Sequence, residues 1–325
     1  MLYLTARQNA SCKSNMFETT FFSILILVAF AIPGFIGRKI GKVRDVGSLV
    51  FLLSYVAQPF LVISSIQSVS LSAENTSMLG VSALIALVAH AVIIGICLLV
   101  FAKDKHPGAK AYALAGSFGN YGFMGIPLMQ NLISAGLLAQ NALICTTAII
   151  VVFNLLTWTI GSFVLTGEKR YISVKNCLLN PPTLIALFVA LPLYFLNVVL
   201  PPWAMKGVDL LGNLSAPVSL FILGVRLADM TPKSLLTDVR TYISSALKLI
   251  IAPLATFLVM LPFRAMIGET VFKVMYISMA MPSASMILML SELFNVEGAP
   301  APASRVQCVS TLLSVVTVPV MMMLI

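Results

Sequence analysis

Long apolar runs alternate with short polar segments along almost the whole chain of 325 residues. A helix of about 20 apolar residues is long enough to cross about 30 Å of membrane hydrocarbon. Runs of that length predict ten spans, which in chain order are 17–35, 46–69, 78–101, 111–132, 141–165, 181–200, 208–227, 242–263, 271–293 and 303–324. The pattern therefore predicts an all-α polytopic membrane protein with ten transmembrane helices.

Two of these spans are interrupted in the middle. Span 4 contains GSFGNYGFMGIP at 116–127, where a glycine recurs at every third position, and span 9 contains SMAMPSAS at 278–285. Glycine adopts positive φ angles freely, asparagine caps helices, and proline lacks the N–H donor of a continuous helix. Unwound backbone inside a bilayer is tolerated only where protein buries it or a cavity adjoins it. The matched breaks therefore predict a carrier's substrate site, where spans 4 and 9 cross at the membrane midplane.

The two halves of the chain also match in the positions of their prolines. Pro59 in span 2 and Pro217 in span 7 are 158 residues apart, and the same shift overlays spans 1 to 5 on spans 6 to 10. At this shift Pro282 falls on Met124, inside the first break. Because each half has an odd number of spans, the second half enters the membrane from the opposite side. The predicted organisation is a 5+5 inverted repeat, with a poorly ordered N-terminal extension at 1–15, repeats at 16–166 and 181–325, and a short cytoplasmic linker at 167–180.

Composition agrees with this class, because 59% of the residues are hydrophobic and only 10% are charged. The net charge of +9 would suit a nucleic-acid partner. Most basic residues, however, follow odd-numbered spans, which is the pattern of cytoplasmic loops under the positive-inside rule. We therefore expect a multi-pass protein of the cell membrane with both termini outside and no nucleic-acid partner. The basic residues after spans 1, 3, 5 and 7 are Arg38, Lys39, Lys42, Arg44, Lys103, Lys105, Lys110, Lys169, Arg170, Lys175, Lys233 and Arg240.

Half-helix ends at the two breaks supply the expected binding chemistry. A helix N-terminus carries about half a positive charge and free N–H groups, so it binds a carboxylate without a buried lysine. The half-helices are expected to begin near Tyr121 and Ser283, with Ser283 and Ser285 as caps of the second. The alternative is a packing face of small residues with an ordinary proline kink. The predicted substrate-binding residues are Gln58, Gly119, Asn120, Tyr121, Gly122, Asn213, Pro282, Ser283 and Ser285.

Few other polar residues lie inside the spans. Lys248 is within two turns of the end of span 8 and is expected to extend its ammonium to the surface. His90 in span 3 is expected to be neutral and hydrogen-bonded between helices. All 11 Asp and Glu residues map to loops or span ends, which disfavours Na⁺ or proton coupling through a carboxylate and favours the membrane potential as the force that moves an anion outward. The 5 cysteines lack metal or disulfide spacing, so neither a metal nor a cofactor is predicted.

Several segments resemble the auxin efflux carrier family of membrane transporters. The most specific is GNYGFMGIPL at 119–128, which is similar to the family's fourth-span motif. NPPT at 180–183, LGVRLA at 223–228 and AMPSA at 280–284, continued by FNV at 294–296, resemble the family as well. The resemblance covers nearly the whole chain from Met16 onward. The family includes plant auxin exporters and microbial carriers of malonate, malate and similar organic acids.

The resemblance implies a ten-helix homodimer that works by elevator-like alternating access. Spans 3 to 5 and 8 to 10 form the moving transport part, and spans 1, 2, 6 and 7 form the scaffold. Asn120 is then the residue that meets the substrate carboxylate, and Gln58 faces the substrate. Plant members often have proline in place of Gly119 and an apolar residue in place of Gln58, which favours a smaller, more polar acid here and a more flexible first break. We therefore expect a carrier of small organic anions and not an enzyme.

Three other interpretations stay open. A sodium- or proton-coupled symporter of the related bile-acid-symporter-like fold would share the crossed spans, and Na⁺ dependence would distinguish it. An intramembrane enzyme is a more distant alternative, with Ser117 or Ser283 as the nucleophile and His90 as the base. A passive channel would show flux without saturation and would have no need of two symmetric breaks.

Overall fold

A computed structural model describes the backbone of residues 2–172 and 182–325 and the side chains of residues 15–172 and 188–325. All regular secondary structure in these ranges is helical. The α-helices of the first half are α1 (Leu2–Ala29), α2 (Ala31–Lys39), α3 (Gly47–Phe51), α4 (Gln58–Gln67), α5 (Ala73–Val100), α6 (Ala109–Ser117), α7 (Ile126–Ser134), α8 (Ala142–Leu156) and α9 (Ser162–Thr166). Those of the second half are α10 (Pro182–Phe195), α11 (Pro202–Gly212), α12 (Ser215–Asp229), α13 (Pro232–Leu236), α14 (Val239–Ala246), α15 (Ala252–Met260), α16 (Arg264–Ile267), α17 (Glu269–Met279), α18 (Met286–Leu293) and α19 (Pro300–Met322).

Short helices of other types join or interrupt the α-helices. The π-helical turns are Leu52–Ala57, Tyr121–Gly125, Thr157–Gly161 and Leu247–Ile251, and the 3-10 turns are Lys169–Ile172 and Leu261–Phe263. Three of the π-helical turns run directly into a helix with proline in its first turn, at Pro59, Pro127 and Pro253. Because proline has no N–H to donate to the preceding turn, the winding loosens just before it.

Seven helical stretches in the described part of the chain are long and apolar enough to cross a membrane. They are Asn15–Lys39, Gly47–Gln67, Ala73–Val100, Ala142–Thr166, Pro202–Asp229, Val239–Ile267 and Pro300–Met322. Each coincides with a predicted span. Predicted spans 4 and 9 are not among them because each is divided at its break, and predicted span 6 begins outside the described residues. The prediction of a helical polytopic membrane protein is confirmed.

Ion pairs bring several loops together at one end of the molecule, named the basic end here. The Nε atom of Arg38, at the end of α2, lies 2.6 Å from Oδ1 of Asp229, at the end of α12. The Nε atom of Arg240 lies 2.5 Å from Oδ2 of Asp104, which joins the loop after α5 to the start of α14. The loops after predicted spans 1, 3 and 7 therefore lie at the same end, as an alternating path through a membrane requires.

The N-terminal segment continues the first helix. The helix α1 begins at Leu2, so the backbone of residues 2–15 is helical. Extending an existing helix by one residue fixes few dihedral angles for each hydrogen bond gained, whereas starting a helix is costly. The apolar residues of predicted span 1 therefore allow the helix to continue into a polar sequence.

Two glycines bring the backbones of α2 and α12 into contact. A Cβ atom at Gly34 would lie 2.0 Å from the carbonyl oxygen of Phe221, and one at Gly224 would lie 1.8 Å from the carbonyl oxygen of Ala31. Neither distance is compatible with a side chain, so only glycine fits at these positions. Small residues allow such close approach between membrane helices. This contact explains the glycine of the LGVRLA segment at 223–228.

Candidate functional site

The two breaks contact each other through their backbones. The amide N–H of Asn120 donates to the carbonyl oxygen of Pro282 at 2.7 Å, and that of Ala284 donates to the carbonyl oxygen of Phe118 at 3.0 Å. These bonds form an antiparallel bridge between Gly119 and Ser283. Residues that leave a helix inside a membrane need partners for their polar backbone groups. Each break supplies partners to the other, so the predicted meeting of the breaks is present in the structure.

The first half-helix after a break begins where the sequence predicted it. The π-helical turn starts at Tyr121, and the side chain of Asn120 caps it by accepting a hydrogen bond from Phe123 N–H at 3.2 Å. The cap satisfies one of the N–H groups that a helix start leaves without an intrahelical partner. Asn120 is buried, with 6% of its surface exposed. Its carboxamide is therefore held at the N-terminus of this half-helix.

The second half-helix begins later than predicted, at Met286. Ser285 occupies its N-cap position but makes no capping hydrogen bond. Ser283 is fully buried, its N–H donates to Ser310 Oγ at 3.0 Å, and its own Oγ has no partner. The prediction that these serines cap the half-helix is therefore wrong. The reason is that Pro282 and Ala284 pair with the first break, which delays the return of the chain to a helix.

A small cavity lies beside the paired breaks, and it is named the crossover cavity here. Its volume is about 30 Å³, which exceeds the roughly 10 to 15 Å³ that a water molecule needs. It is much smaller than the roughly 300 to 1,000 Å³ of typical ligand pockets. The residues that line it are Gln58, Leu61, Val62, Gly119, Asn120, Tyr121, Gly122, Phe123, Ile150, Phe153, Ala284, Ser285 and Met286.

The structure brings most of the predicted substrate-binding residues to this cavity. Pro282 and Ser283 adjoin it through the backbone bridge without lining it. Asn213 is exposed at the end of α11 and does not line the cavity. The predicted residues that do line it are Gln58, Gly119, Asn120, Tyr121, Gly122 and Ser285.

Close packing surrounds Gly119, and none of the four glycines of the first break has a positive φ angle. Gly116, Gly119, Gly122 and Gly125 are absent from the residues with positive φ, so that explanation of the glycines is wrong. A Cβ at Gly119 would lie 2.6 Å from Cε1 of Tyr121 and 2.7 Å from Cε of Lys248. A side chain at position 119 would therefore displace the ring of Tyr121 and the side chain of Lys248.

Lys248 is the principal residue that the sequence analysis misjudged. Its side chain is fully buried, and Nζ donates to the carbonyl oxygen of Met279 at 2.7 Å. Met279 is the last residue of α17, so the ammonium satisfies a carbonyl at the negative end of a helix dipole. Nζ also lies 5.4 Å from the ring centroid of Tyr121. The expectation that Lys248 reaches the surface is wrong, because its π-helical turn directs it inward toward the breaks.

His90 connects α5 to the first break. Nδ1 is 2.7 Å from the carbonyl oxygen of Ala86, and Nε2 is 3.1 Å from the hydroxyl of Tyr121, so the predicted hydrogen bond between helices is confirmed. The Ser117 hydroxyl donates to Ala113 O, and that of Ser283 has no partner. Neither serine therefore forms a nucleophile and base pair with His90. Among residues 15–172 and 188–325, whose side chains are described, no three His, Cys, Asp or Glu side chains are grouped so that they could hold a metal ion.

Comparison of sequences establishes the family. The family model described as membrane transport protein matches residues 19–177 and 169–322, which together span almost the whole chain. The chain belongs to the auxin efflux carrier-type membrane transport family. The resemblance drawn from the 119–128 segment is thereby confirmed. No curated protein matches the chain.

Membership in this family makes the protein a membrane transporter. A substitution at one position of the crossover cavity can test whether the cavity of this carrier holds the substrate. A Cβ at Gly122 would meet nothing within 4 Å, so Gly122→Ala leaves the fold intact while its methyl group enters the cavity. We expect the free energy of unfolding of the variant to stay within about 0.5 kcal/mol of that of the parent, and bulky substrates to be transported several-fold more slowly than small ones.

Gly80→Ala is the matched control, because a Cβ there also meets nothing within 4 Å and Gly80 is exposed on α5. It should leave all rates unchanged. Equal rates for Gly122→Ala and the parent over a series of acids of increasing size would show that the crossover cavity does not hold the substrate.

Proposed function

We propose that this carrier moves small organic anions, carboxylates of the malonate, malate or auxin type, by elevator-type alternating access. The observation that carries the proposal is the pairing of the two breaks beside the fully buried Lys248. No carboxylate forms a salt bridge with Lys248 among the described residues. Lys248 does not line the crossover cavity, but in its protonated form it adds a positive charge behind Tyr121 to the partial charges of the helix ends.

Electrostatics at the crossover favours an anion over a cation or a neutral ligand. The N-termini of the half-helices at Tyr121 and Met286 both adjoin the cavity, and each contributes about half a positive charge. In its protonated form Lys248 adds a positive charge behind Tyr121, and because the side chain is fully buried that charge acts more strongly on a nearby ligand than it would in water. The amides of Asn120 and Gln58 supply donors for carboxylate oxygens. The apolar wall of Leu61, Val62, Ile150 and Phe153 suits a short carbon skeleton.

The arrangement of the breaks supports a 5+5 inverted repeat of ten transmembrane helices. A two-fold rotation would exchange the two backbone hydrogen bonds, so that Phe118 corresponds to Pro282 and Asn120 to Ala284. The separation of these pairs is 164 residues, whereas Pro59 and Pro217 are 158 apart. The shift of 158 residues therefore relates Pro59 of span 2 to Pro217 of span 7, whereas the paired backbone groups of the two breaks are related by a shift six residues larger. We assign the repeats to residues 16–166 and 181–325, joined by 167–180.

The crossover cavity lies between two groups of helices, and this position supports the elevator mechanism. One wall comes from α4, through Gln58, Leu61 and Val62, and the other from the first break, α8 and the start of α18. In the proposed scheme α4 belongs to the fixed scaffold, which is also the homodimer contact, and the other elements move. The basic end faces the cytoplasm of a cell membrane, with both termini outside, because its loops carry the excess of Lys and Arg.

The test is transport in proteoliposomes with radiolabelled mono- and dicarboxylates, with voltage and pH gradients imposed separately. We expect saturable exchange of at least one small carboxylate, driven by voltage and indifferent to Na⁺. Flux that follows a pH gradient and ignores voltage would replace voltage-driven transport with proton coupling, and Na⁺ dependence would favour the symporter. No saturable flux of any acid in the panel would contradict the proposed substrate class.

A further inference from the structure

Two further cavities continue from the crossover cavity toward the basic end. The first, named the passage, has a volume of about 40 Å³ and shares Gln58, Phe123, Ser285 and Met286 with the crossover cavity. The second, named the vestibule, has a volume of about 340 Å³, which is enough for a small organic acid. The passage and the vestibule share the residues Arg226, Leu288 and Glu292.

Arg226 and Glu292 therefore line the junction between the large vestibule and the much smaller passage. Their side chains form an ion pair, with Arg226 Nη2 2.8 Å from Oε1 and 3.0 Å from Oε2 of Glu292. Arg226 is on α12, and Glu292 is on α18, the half-helix whose N-terminus adjoins the crossover cavity. The pair thus ties the α12 helix to an element that carries part of the proposed site.

The guanidinium of Arg226 has unused capacity to bind an anion. Its Nε atom is buried and makes no hydrogen bond with the described residues, although a guanidinium offers five N–H donors in a fork that matches a carboxylate. The ion pair itself is partly exposed, with 27% and 37% of the two side chains accessible. Such pairs contribute little net stability, so another carboxylate can replace Glu292 at small cost.

The other charged groups of the vestibule are engaged elsewhere. Asp229 is paired with Arg38 on α2. Arg305 is paired with Asp238 at 3.0 Å and donates to the Tyr112 hydroxyl at 2.6 Å, so it is held by α6 and the start of α14. In the proposed scheme α2 is scaffold, whereas α6, α14 and α19 belong to the moving part. Of the vestibule's ion pairs, only Arg226 with Glu292 joins the two parts within the described residues.

We propose that Arg226 is a second carboxylate-binding site, at the mouth of the route to the crossover cavity, and that Glu292 occupies it when no anion is bound. An organic anion that enters from the basic end displaces Glu292 from Arg226. The displacement releases α18 from α12 and allows the passage to widen toward Asn120. This inference rests on the proposed function, because it assigns an entry site to the same carboxylate substrate. It also gives a role to the arginine of the LGVRLA segment, which the crossover site does not use.

The experiment measures KM for a transported carboxylate presented separately at the basic end and at the opposite face of sided vesicles. Arg226→Gln should raise KM at the basic end at least 10-fold and leave KM at the opposite face within 2-fold, and Arg226→Lys should show an intermediate change. Glu292→Gln removes the competing carboxylate and should lower KM at the basic end about 3-fold or more. Because Glu292→Gln is predicted to improve binding, it tests the inference even if Arg226→Gln does not fold.

The double variant Arg38→Gln with Asp229→Asn is the matched control. It removes the neighbouring ion pair as a neutral unit and so leaves no unpaired carboxylate in the vestibule, and the pair lies one turn further along α12 but joins two helices of the scaffold. It should leave KM at both faces unchanged. Equal changes at both faces in Arg226→Gln, a matching change in the double variant, or no change in Glu292→Gln would each overturn the inference. Absence of saturable carboxylate transport in the parent would instead contradict the proposed function.

Discussion

Replacing Lys248 with methionine is expected to abolish anion transport and to destabilise the crossover. Methionine fills similar space without the ammonium, so the carbonyl oxygen of Met279 loses the donor that lies 2.7 Å away. An unpaired buried acceptor costs about 1 to 3 kcal/mol. The loss of a buried positive charge also removes the attraction that we assign to the site. Transport should fall at least 100-fold, and the melting temperature measured in detergent should drop.

Lys248→Gln separates the two contributions. Glutamine is shorter but retains a donor for a backbone carbonyl, and it carries no charge. We expect it to recover part of the lost stability while transport stays at least 10-fold below that of the parent. Normal transport by Lys248→Gln would mean that the charge of Lys248 is structural and has no part in attracting the anion.

Removing the carboxamide of Asn120 is expected to have the next largest effect. Asn120→Ala loses the cap on Phe123 N–H, which costs about 1 kcal/mol, and loses the amide that lines the crossover cavity. The backbone bond to Pro282 does not involve the side chain and should survive. Transport should therefore fall at least 10-fold in a protein that still folds. Substrate counterflow together with a melting curve measures both quantities.

Asn213→Ala is the control for this variant. Asn213 is the one predicted binding residue that is exposed. It neither lines the crossover cavity nor pairs with either break. The substitution should leave counterflow unchanged. If Asn213→Ala reduced transport as much as Asn120→Ala, the result would contradict the assignment of the crossover cavity as the binding site.

The positions of the breaks were predictable because they depend on local chemistry. Glycine, asparagine and proline alter helix geometry wherever they stand, and an apolar run of known length places them near its middle. The identity of Asn120 as a cap follows from the same local rules. The meeting of the breaks followed from a tertiary argument, namely that exposed backbone is not tolerated in lipid.

Other features depended on contacts that no local rule contains. The distance of Lys248 from the end of its span does not reveal the face of the helix from which its side chain projects. The failure of Ser283 and Ser285 as caps results from the pairing of Pro282 and Ala284 with the opposite break. The lack of space for a side chain at position 119 comes from the ring of Tyr121 and the side chain of Lys248, and Lys248 approaches this position only in the folded protein.

The backbone contact between α2 and α12 has a mechanical consequence. Because a carbonyl oxygen occupies the space of each missing Cβ, at Gly34 and at Gly224, the two helices interlock and cannot slide along each other without separating. The two helices therefore act as one rigid unit. Arg226 belongs to this unit, two residues after Gly224. In the proposed scheme α18 moves relative to this pair of helices, and the 2.8 Å contact between Arg226 and Glu292 weakens steeply as the two groups separate. The packing of α2 against α12 would then keep Arg226 in place while Glu292 moves away with α18.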